Sequence, residues 1–265
     1  MADTEGIVIE TTDDLFLGGR LSILQPRSGH RSGIEAVLLG ASCSAQPGET
    51  VLDIGSGVGV AGLIAGTLCP SAEITLVDID QDAIRLASKN APRNGFNAKC
   101  LAGDVTTSGA LARLGLTPGF ADHAIANPPF DPAARTQGSD NDGKRLAHSA
   151  PTELFDRWMR FAASAIRPAG TLTVIHRADE LVHVLSAMGS RFGDLVVVPI
   201  QARPDTPATR ILIRGHRDRR GDLKLMPPLV LHGASGNHFR EDVDAVLRGR
   251  ARIDMTTGTV ASLET

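Results

Sequence analysis

The sequence predicts an α/β fold in which helices cover both faces of a mostly parallel sheet. Short β-branched and apolar runs alternate with longer segments of helical apolar spacing from Thr50 onward. In addition, the acidic residues Asp53, Asp78 and Asp104 occur near the ends of three successive predicted strands. Open parallel sheets bind ligands beyond the carboxyl ends of their strands, so both observations indicate a ligand site at that edge.

The residues before Thr50 predict an extension of this fold. A hairpin is expected over residues 12–26, because Gly18-Gly19 separates two short runs of strand-like alternation. Ser32 is a suitable N-cap, so a helix is predicted over residues 33–42.

A glycine-rich turn forms the first ligand-binding motif. Residues 50–54 predict a strand, Gly55, Gly57 and Gly59 a tight turn, and residues 60–68 an Ala-rich helix. Glycine adopts the positive φ angles of such turns and lets a ligand approach the backbone closely. A strand, a glycine turn and a helix N-terminus in succession are typical of nucleotide sites.

Two classes of nucleotide fit this turn. The pattern Gly57-x-Gly59-x-x-Gly62, with Asp78 roughly 20 residues further on, also matches dinucleotide-binding oxidoreductases. Asp53 favours another ligand, because a carboxylate beside a pyrophosphate is unfavourable. It suits a ligand with a cationic amino-acid end, and S-adenosylmethionine (SAM) carries an ammonium and a sulfonium there.

The next two acids predict where the nucleoside of SAM binds. A strand over 74–77 leads to Asp78, which can accept hydrogen bonds from both ribose hydroxyls. A helix over 80–93, ending at Asn94-Gly95, and a strand over 98–101 lead to Asp104, which can accept from an adenine amino group. Singly, each acid also fits a loop or a helix cap. The candidate cofactor-binding residues are Asp53, Gly55, Gly57, Gly59, Asp78, Ile79, Asp104, Val105 and Asn127.

The second motif, Asn127-Pro128-Pro129-Phe130, follows the apolar run 124–126, which reads as the end of a buried strand. Neither proline can donate to a sheet ladder, and the residue before Pro128 is held extended. The Asn127 oxygen and the Pro128 carbonyl can accept both hydrogens of a planar amine, while Phe130 stacks on the attached ring. A tight turn with a buried Phe is the alternative. All four residues, Asn127, Pro128, Pro129 and Phe130, are candidate catalytic residues.

Two polar segments, residues 131–147 and the arginine-rich segment 203–220, are candidates for contact with the substrate. Residues 131–147 are nearly free of apolar side chains, and a loop of this length is typical of a flap or an inert linker. Arg145 and His148 lie at its exit, and Arg210 belongs to a group of six arginines between positions 203 and 220 that could contact phosphates. A solvated hairpin is the alternative for that group.

The remaining elements complete the predicted sheet. A helix over 151–167 places Trp158 on its apolar side, where we expect it to pack in the core. The others are a strand over 171–175, a helix over 179–188 and an antiparallel pair over 195–200 and 209–214.

At both motifs the chain resembles the class I SAM-dependent methyltransferases. The segment 53–59 resembles their first motif, and residues 127–130 resemble the N-P-P-[YF] motif of enzymes that methylate adenine, cytosine or glutamine-amide nitrogens. Residues 14–39 and 231–241 are most similar to the bacterial adenine-N6 methyltransferase group that acts on valine tRNA beside the anticodon. This resemblance implies a Rossmann-like seven-stranded sheet with an antiparallel last strand, SAM as cofactor, and RNA, specifically tRNA, as partner.

The chain departs from that group at two places. It has Glu35-Ala36 where Asp-Gly is common, and Phe130 where Tyr is common. The resemblance thus implies a SAM-dependent N-methyltransferase acting on adenine N6 in tRNA. A protein glutamine-amide methyltransferase, an inactive SAM-binding module and a dinucleotide oxidoreductase remain alternatives.

Composition fits a soluble cytoplasmic enzyme. The net charge is −3, which is unlike a strongly nonspecific nucleic-acid binder. No signal peptide, membrane span or metal-ligand cluster is expected, and His176 and His183 read as surface or helix residues. The three cysteines are expected to be buried thiols. We expect one domain over residues 1–265, with an N-terminal hairpin and helix extension (12–45), a core (46–216) and a flexible tail (251–265).

Overall fold

The computed structural model describes residues 10–128 and 149–263. A nine-stranded sheet forms its centre, and two hairpins lie outside that sheet. The strands are β1 (Thr11–Phe16), β2 (Leu21–Pro26), β3 (Thr50–Ile54), β4 (Glu73–Asp78), β5 (Lys99–Ala102), β6 (Ala121–Ala126), β7 (Ile166–Arg177), β8 (Phe192–Gln201), β9 (Ala208–Arg217), β10 (Lys224–Leu225), β11 (Leu229–Val230), β12 (Ala251–Asp254) and β13 (Thr259–Ser262). The helices are α1 (Ile34–Ala41), α2 (Val60–Leu68), α3 (Gln81–Arg93), α4 (Ala110–Arg113), α5 (Ser149–Ala165), α6 (Leu181–Gly189) and α7 (Glu241–Leu247).

The order of the strands in the sheet is β10-β8-β9-β7-β6-β3-β4-β5, and β11 also pairs with β8. Strands β3 to β7 run parallel, whereas β9 lies antiparallel between β7 and β8. The seven longer strands confirm the predicted sheet with its antiparallel last strand. The chain order reverses between β3 and β6, and sheets of this kind form their ligand crevice at the carboxyl ends of the two strands where the order reverses.

Alternation along the central strands divides the apolar core into two clusters on opposite faces of the sheet. Val51 and Leu76 pack with helices α1, α2 and α3. Leu52 and Ile54 pack with helices α4, α5 and α6. Successive side chains of a strand point to opposite faces, so the short run in β3 contributes to both clusters.

The N-terminal hairpin forms from β1 and β2 and is closed by a 3-10 turn at Leu17–Gly19. The cap predicted for the following helix is wrong. Gly33 holds the N-cap position of α1 and makes no side-chain hydrogen bond there. Ser32 instead pairs its backbone N–H and carbonyl with the Gln25 side chain, at 2.8 and 3.4 Å.

The flexible tail predicted over residues 251–265 is also wrong for the residues described, up to 263. Strands β12 and β13 form an antiparallel hairpin. Ala251, Ile253 and Met255 are almost fully buried and belong to the first core cluster. The tail is ordered because these alternate residues are apolar and reach the core through one face of the hairpin.

The cysteines follow the expectation of buried thiols in part. Cys43 and Cys69 are buried and Cys100 is half-buried, all as free thiols. Burial raises the pKa of the Cys43 thiol to about 12, so this thiol is unreactive at neutral pH. No helix in the described ranges has the length and hydrophobicity needed to cross a bilayer.

Two asparagines, Asn90 in α3 and Asn94 directly after it, attach the N-terminal hairpin to this helix. The side-chain oxygen and nitrogen of Asn94 bond the backbone N–H and carbonyl of Ser22, both at 2.9 Å. Asn90 does the same with Leu24, at 2.9 and 3.1 Å, and its nitrogen also donates to the Val58 carbonyl at 3.0 Å. The free edge of β2 is thereby satisfied, and the hairpin is joined to the glycine turn.

We expect Asn90→Asp to lower the free energy of unfolding by about 2–4 kcal/mol. Asp cannot donate, so the Leu24 and Val58 carbonyls lose their partner, and a carboxyl group enters a site with no exposure. Urea denaturation measures the loss. Asn97→Asp, at an exposed position, is the control and should change stability by less than about 0.5 kcal/mol. Equal effects of the two variants would contradict the role of Asn90.

Candidate active site

The glycine turn after β3 has the backbone that its sequence predicts. Gly55, Gly57 and Gly59 have φ angles of 70°, 55° and 93°. The N–H groups of Gly55 and Ser56 both donate to the Val77 carbonyl, at 2.8 and 2.9 Å. The turn is therefore fixed to the end of β4, and Gly59 begins α2 with no side-chain cap.

Trp158 packs directly on the turn from the α5 side of the sheet. A Cβ atom on Gly55 would lie 3.0 Å from its Cζ3 atom and closer still to Cη2. Trp158 is 4% exposed, which confirms that it packs in the core. The sequence did not indicate that it packs on Gly55, because the two residues are far apart along the chain.

Asp53 is buried within β3, one residue before the strand ends. Its Oδ2 accepts the N–H of Gly62 in the first turn of α2 at 2.8 Å. Burial raises the pKa of this carboxyl to about 7, the Gly62 hydrogen bond opposes the rise, and the charge of Asp78 adds to it. The structure thus gives Asp53 the work of joining β3 to α2.

Asp78 lies at the carboxyl end of β4, beside the glycine turn. One carboxylate oxygen accepts the Gly57 N–H at 2.8 Å, and the other accepts the Asp80 N–H at 2.9 Å. A carboxylate oxygen accepts more than one hydrogen bond, so both can still receive a hydroxyl donor. The neighbouring Ile79 side chain is 44% exposed and offers an apolar surface at the same edge.

Asp104 follows the end of β5 by two residues. Its Oδ1 accepts from both the backbone and the hydroxyl of Thr106, at 2.8 and 2.6 Å. The adjacent Val105 is buried in the second core cluster. Asp78 and Asp104 therefore occupy the expected edge of the sheet, whereas Asp53 points into the core instead.

Asn127 directly follows β6, where Ala126 pairs with Ile54 of β3. It is thus the neighbour of Gly55 across the crevice between these two strands. Its Oδ1 atom is buried and has no hydrogen-bond partner within the described residues. Pro128 is buried beside it. The other predicted residues of this region, Pro129, Phe130, Arg145 and His148, and the loop 131–147, lie outside the described residues.

Arg210 lies at the same edge but further along the sheet. It lies near the start of β9, opposite Arg177 of β7 and Ile200 of β8. Its guanidinium pairs with Glu35 of α1 at 2.5 Å. The structure therefore places Arg210 two strands away from Asn127, held by an acid that sequence reasoning had not connected with it.

His176 differs from its expectation as a surface or helix residue. It lies near the end of β7, is 6% exposed and contacts the Phe155 ring edge-on at 5.5 Å. Burial lowers the pKa of its imidazole. In the described ranges, no group of three or more His, Cys, Asp or Glu side chains could hold a metal ion.

Near the glycine turn, two residues that the sequence did not mark as ligand-binding share the state of Asn127. The Ser56 hydroxyl and the Trp158 indole nitrogen are buried without a hydrogen-bond partner in the described part of the chain. Unsatisfied buried groups are costly in native proteins and are explained when a ligand or water completes them. These groups flank a glycine turn and accompany two acids at one sheet edge, so the residues present fit a nucleoside ligand with polar ends.

Comparison with known proteins agrees with this geometry. The family model "Methyltransferase small domain" matches residues 34–203. A release factor glutamine methyltransferase from Chlorobaculum tepidum is 28% identical over 157 residues, which are 56% of this chain and 52% of that protein. The chain thus spans about half the length of this relative. A tRNA1(Val) (adenine(37)-N6)-methyltransferase from Porphyromonas gingivalis is 27% identical over 242 residues, 87% of this chain and 92% of the relative.

A solved structure extends this likeness to the fold. The crystal structure of a protein described as a predicted O-methyltransferase, from Agrobacterium tumefaciens, superposes with a TM-score of 0.68. It is 27% identical, and the match covers 81% of this chain and 96% of that one.

We expect Gly55→Ala to destabilise the protein by about 2–4 kcal/mol, because the added methyl combines a positive φ with overlap of the indole. Gly57→Ala is the matched control. It shares the positive φ but meets no atom within 4 Å, so it should cost only about 1–2 kcal/mol. Chemical denaturation of both variants, and of the double variant Gly55→Ala/Trp158→Phe, measures the coupling free energy between Gly55 and Trp158. The absence of any rescue by Trp158→Phe would argue against this contact.

Asp53 should make stability depend on pH. The native carboxyl keeps its proton up to pH about 7, whereas the unfolded chain releases it near pH ~4. The native state then binds the extra proton, so its contribution to the free energy of unfolding falls as pH rises from about 4 to 7 and is level above that. Asp53→Asn should remove this pH dependence, which amounts to about 4 kcal/mol at most over the whole window. Urea denaturation at several pH values measures it. A slope equal to that of the wild type would contradict the raised pKa.

Proposed function

The chain belongs to the methyltransferase small domain family and is a SAM-dependent methyltransferase, and we propose that it methylates the exocyclic N6 of an adenine in tRNA. One observation carries the proposal. The Asn127 side-chain oxygen, directly after β6 and beside the glycine turn, is buried and has no hydrogen-bond partner among the described residues. An acceptor in that position needs a donor from the substrate.

In this proposal the nucleoside half of SAM lies over the ends of β4 and β5. Asp78 would accept the ribose hydroxyls while it holds the glycine turn through Gly57. Ile79 would contact the adenine ring, and Asp104 would accept from its amino group through the oxygen that Thr106 does not use. SAM supplies an electrophilic methyl group when bound.

Asn127 and Pro128 would position the nitrogen that is methylated. An exocyclic amine is a weak nucleophile, because its lone pair is delocalised into the ring. If the Asn127 oxygen and the Pro128 carbonyl accept both hydrogens, the nitrogen becomes more tetrahedral. Its lone pair is then directed at the methyl group of SAM. The catalytic contribution is therefore one of orientation and of dipoles placed for the positive charge that develops on nitrogen. The proton can leave to water after the transfer.

The choice of adenine in tRNA over other substrates is supported by the extent of similarity. The relative named for tRNA adenine matches 92% of its length, whereas the relative named for release factor glutamine matches 52%. The name of the Agrobacterium protein points to an oxygen acceptor, but a hydroxyl has only one hydrogen for the two oxygens of Asn127 and Pro128. A tRNA substrate also fits the cytoplasmic location expected from the sequence.

We expect Asn127→Ala to lower kcat about 100- to 1,000-fold, because the variant loses an acceptor that stabilises the transition state. The dissociation constant of SAM should not change. Calorimetry with SAM and single-turnover transfer to tRNA measure the two effects. Asn97→Ala, at an exposed site away from the crevice, is the control. Near-normal turnover in Asn127→Ala would remove Asn127 from catalysis.

The substrate class is tested with methyl-labelled SAM and an extract from cells that lack the gene. Ribonuclease should release the label as N6-methyladenosine. Label that survives ribonuclease but is lost to protease would identify a protein amide substrate instead. Label in a ribose or another hydroxyl would favour the oxygen acceptor.

A further inference from the structure

An exposed aromatic pair lies at the far side of the same sheet edge. The rings of His232 and Phe239 stack with centroids 4.6 Å apart and planes 22° apart. Phe239 is 38% exposed and belongs to neither core cluster. We call these two residues the aromatic platform. Among the described residues, Phe239 stacks on no other ring, so part of its surface stays open to solvent.

The platform is held rigidly. His232 and Phe239 form a β-bridge, and the His232 N–H donates to the Ala202 carbonyl at 3.0 Å. Between them, Arg203 donates to the carbonyls of Gly233 and Gly236, at 3.1 and 2.7 Å. An aromatic ring that is fixed in advance loses little entropy when a planar ligand stacks on it.

The register of the sheet gives the distance from the platform to the crevice. From Asn127, after β6, the order runs through β7, β9 and β8 to β11, which leads into His232. Four strand spacings separate the two places, or about 19 Å. Phe239 is therefore too far away to stack on the adenine at Asn127, but a neighbouring nucleotide of the same strand can reach it.

We propose that the aromatic platform binds an unpaired base that flanks the methylated adenine in the RNA loop. This inference rests on the proposed function and names a second contact for the same substrate. Sequence-specific RNA recognition uses unstacked loop bases on aromatic rings, and each such stack is worth ~1–3 kcal/mol. The platform lies outside residues 34–203, the part of the chain that the family model matches.

The test is a binding cycle with anticodon stem–loop RNA. Phe239→Leu removes the ring but keeps an apolar side chain, and it should weaken the dissociation constant for RNA about 5- to 150-fold. SAM binding and kcat at saturating RNA should not change. Phe239→Trp should restore binding. Leu225→Ala is the control, because this exposed side chain lies on β10, away from the carboxyl-end edge, and should bind RNA as the wild type does.

Abasic substitution at each loop position then locates the contact. At one position beside the methylated adenine, loss of the base should weaken RNA binding by the wild type. The same loss should not weaken RNA binding by Phe239→Leu any further. Unchanged RNA affinity of Phe239→Leu would overturn the platform, as would the absence of coupling between Phe239→Leu and the abasic substitutions. The proposed function would still hold in that case if the wild type methylates RNA. If the wild type methylates only protein and Phe239→Leu raises the KM for that protein, a peptide occupies the platform and both proposals fail.

Discussion

The close packing of the glycine turn between the two core clusters is the constraint on which the site depends. Trp158 approaches Gly55 from one face of the sheet, and Leu76 lies against Gly59 and Gly62 from the other. A side chain at any of these glycines would push the turn or α2 away from the sheet. The turn is fixed from both faces, so its backbone is already arranged for a ligand before the ligand binds.

The sheet edge divides into two halves with different roles. The strands on one side of the crevice, β3 to β5, carry the acids of the proposed cofactor site. The strands on the other side, β6 to β9, carry Asn127, Arg210 and, through β11, the aromatic platform. Because β9 runs antiparallel, its amino end lies at the functional edge and brings Arg210 there. The reversed strand thus widens the surface available to a large substrate.

The sequence predicted local features well and long-range contacts poorly. The glycine turn, the strand before Asp78 and the end of α3 at Asn94 depend on neighbouring residues, and Asn94 is indeed the C-cap of that helix. The partners of Gly55 and of the N-terminal hairpin, Trp158 and Asn90, are distant in the chain and carry no local pattern. The C-terminal hairpin was missed because its alternation is short and its polar residues resemble a solvated tail. Asp53 was assigned to a ligand by its charge and its position before the glycine turn, and its hydrogen bond to Gly62 of α2 could not be predicted from that pattern.

The unpartnered polar atoms link stability to function in this protein. Each buried donor or acceptor without a partner costs about 1–3 kcal/mol. Within the part of the chain that the structure describes, Ser56, Asn127 and Trp158 each carry one such group near the glycine turn. By contrast, Asn90 and Asn94 satisfy the backbone groups of β2 that they contact. Among the described residues, the three groups around this turn have no partner, so they lower the stability of the protein. Ligands that complete those groups would recover that free energy on binding, so cofactor and substrate would stabilise the crevice that recognises them.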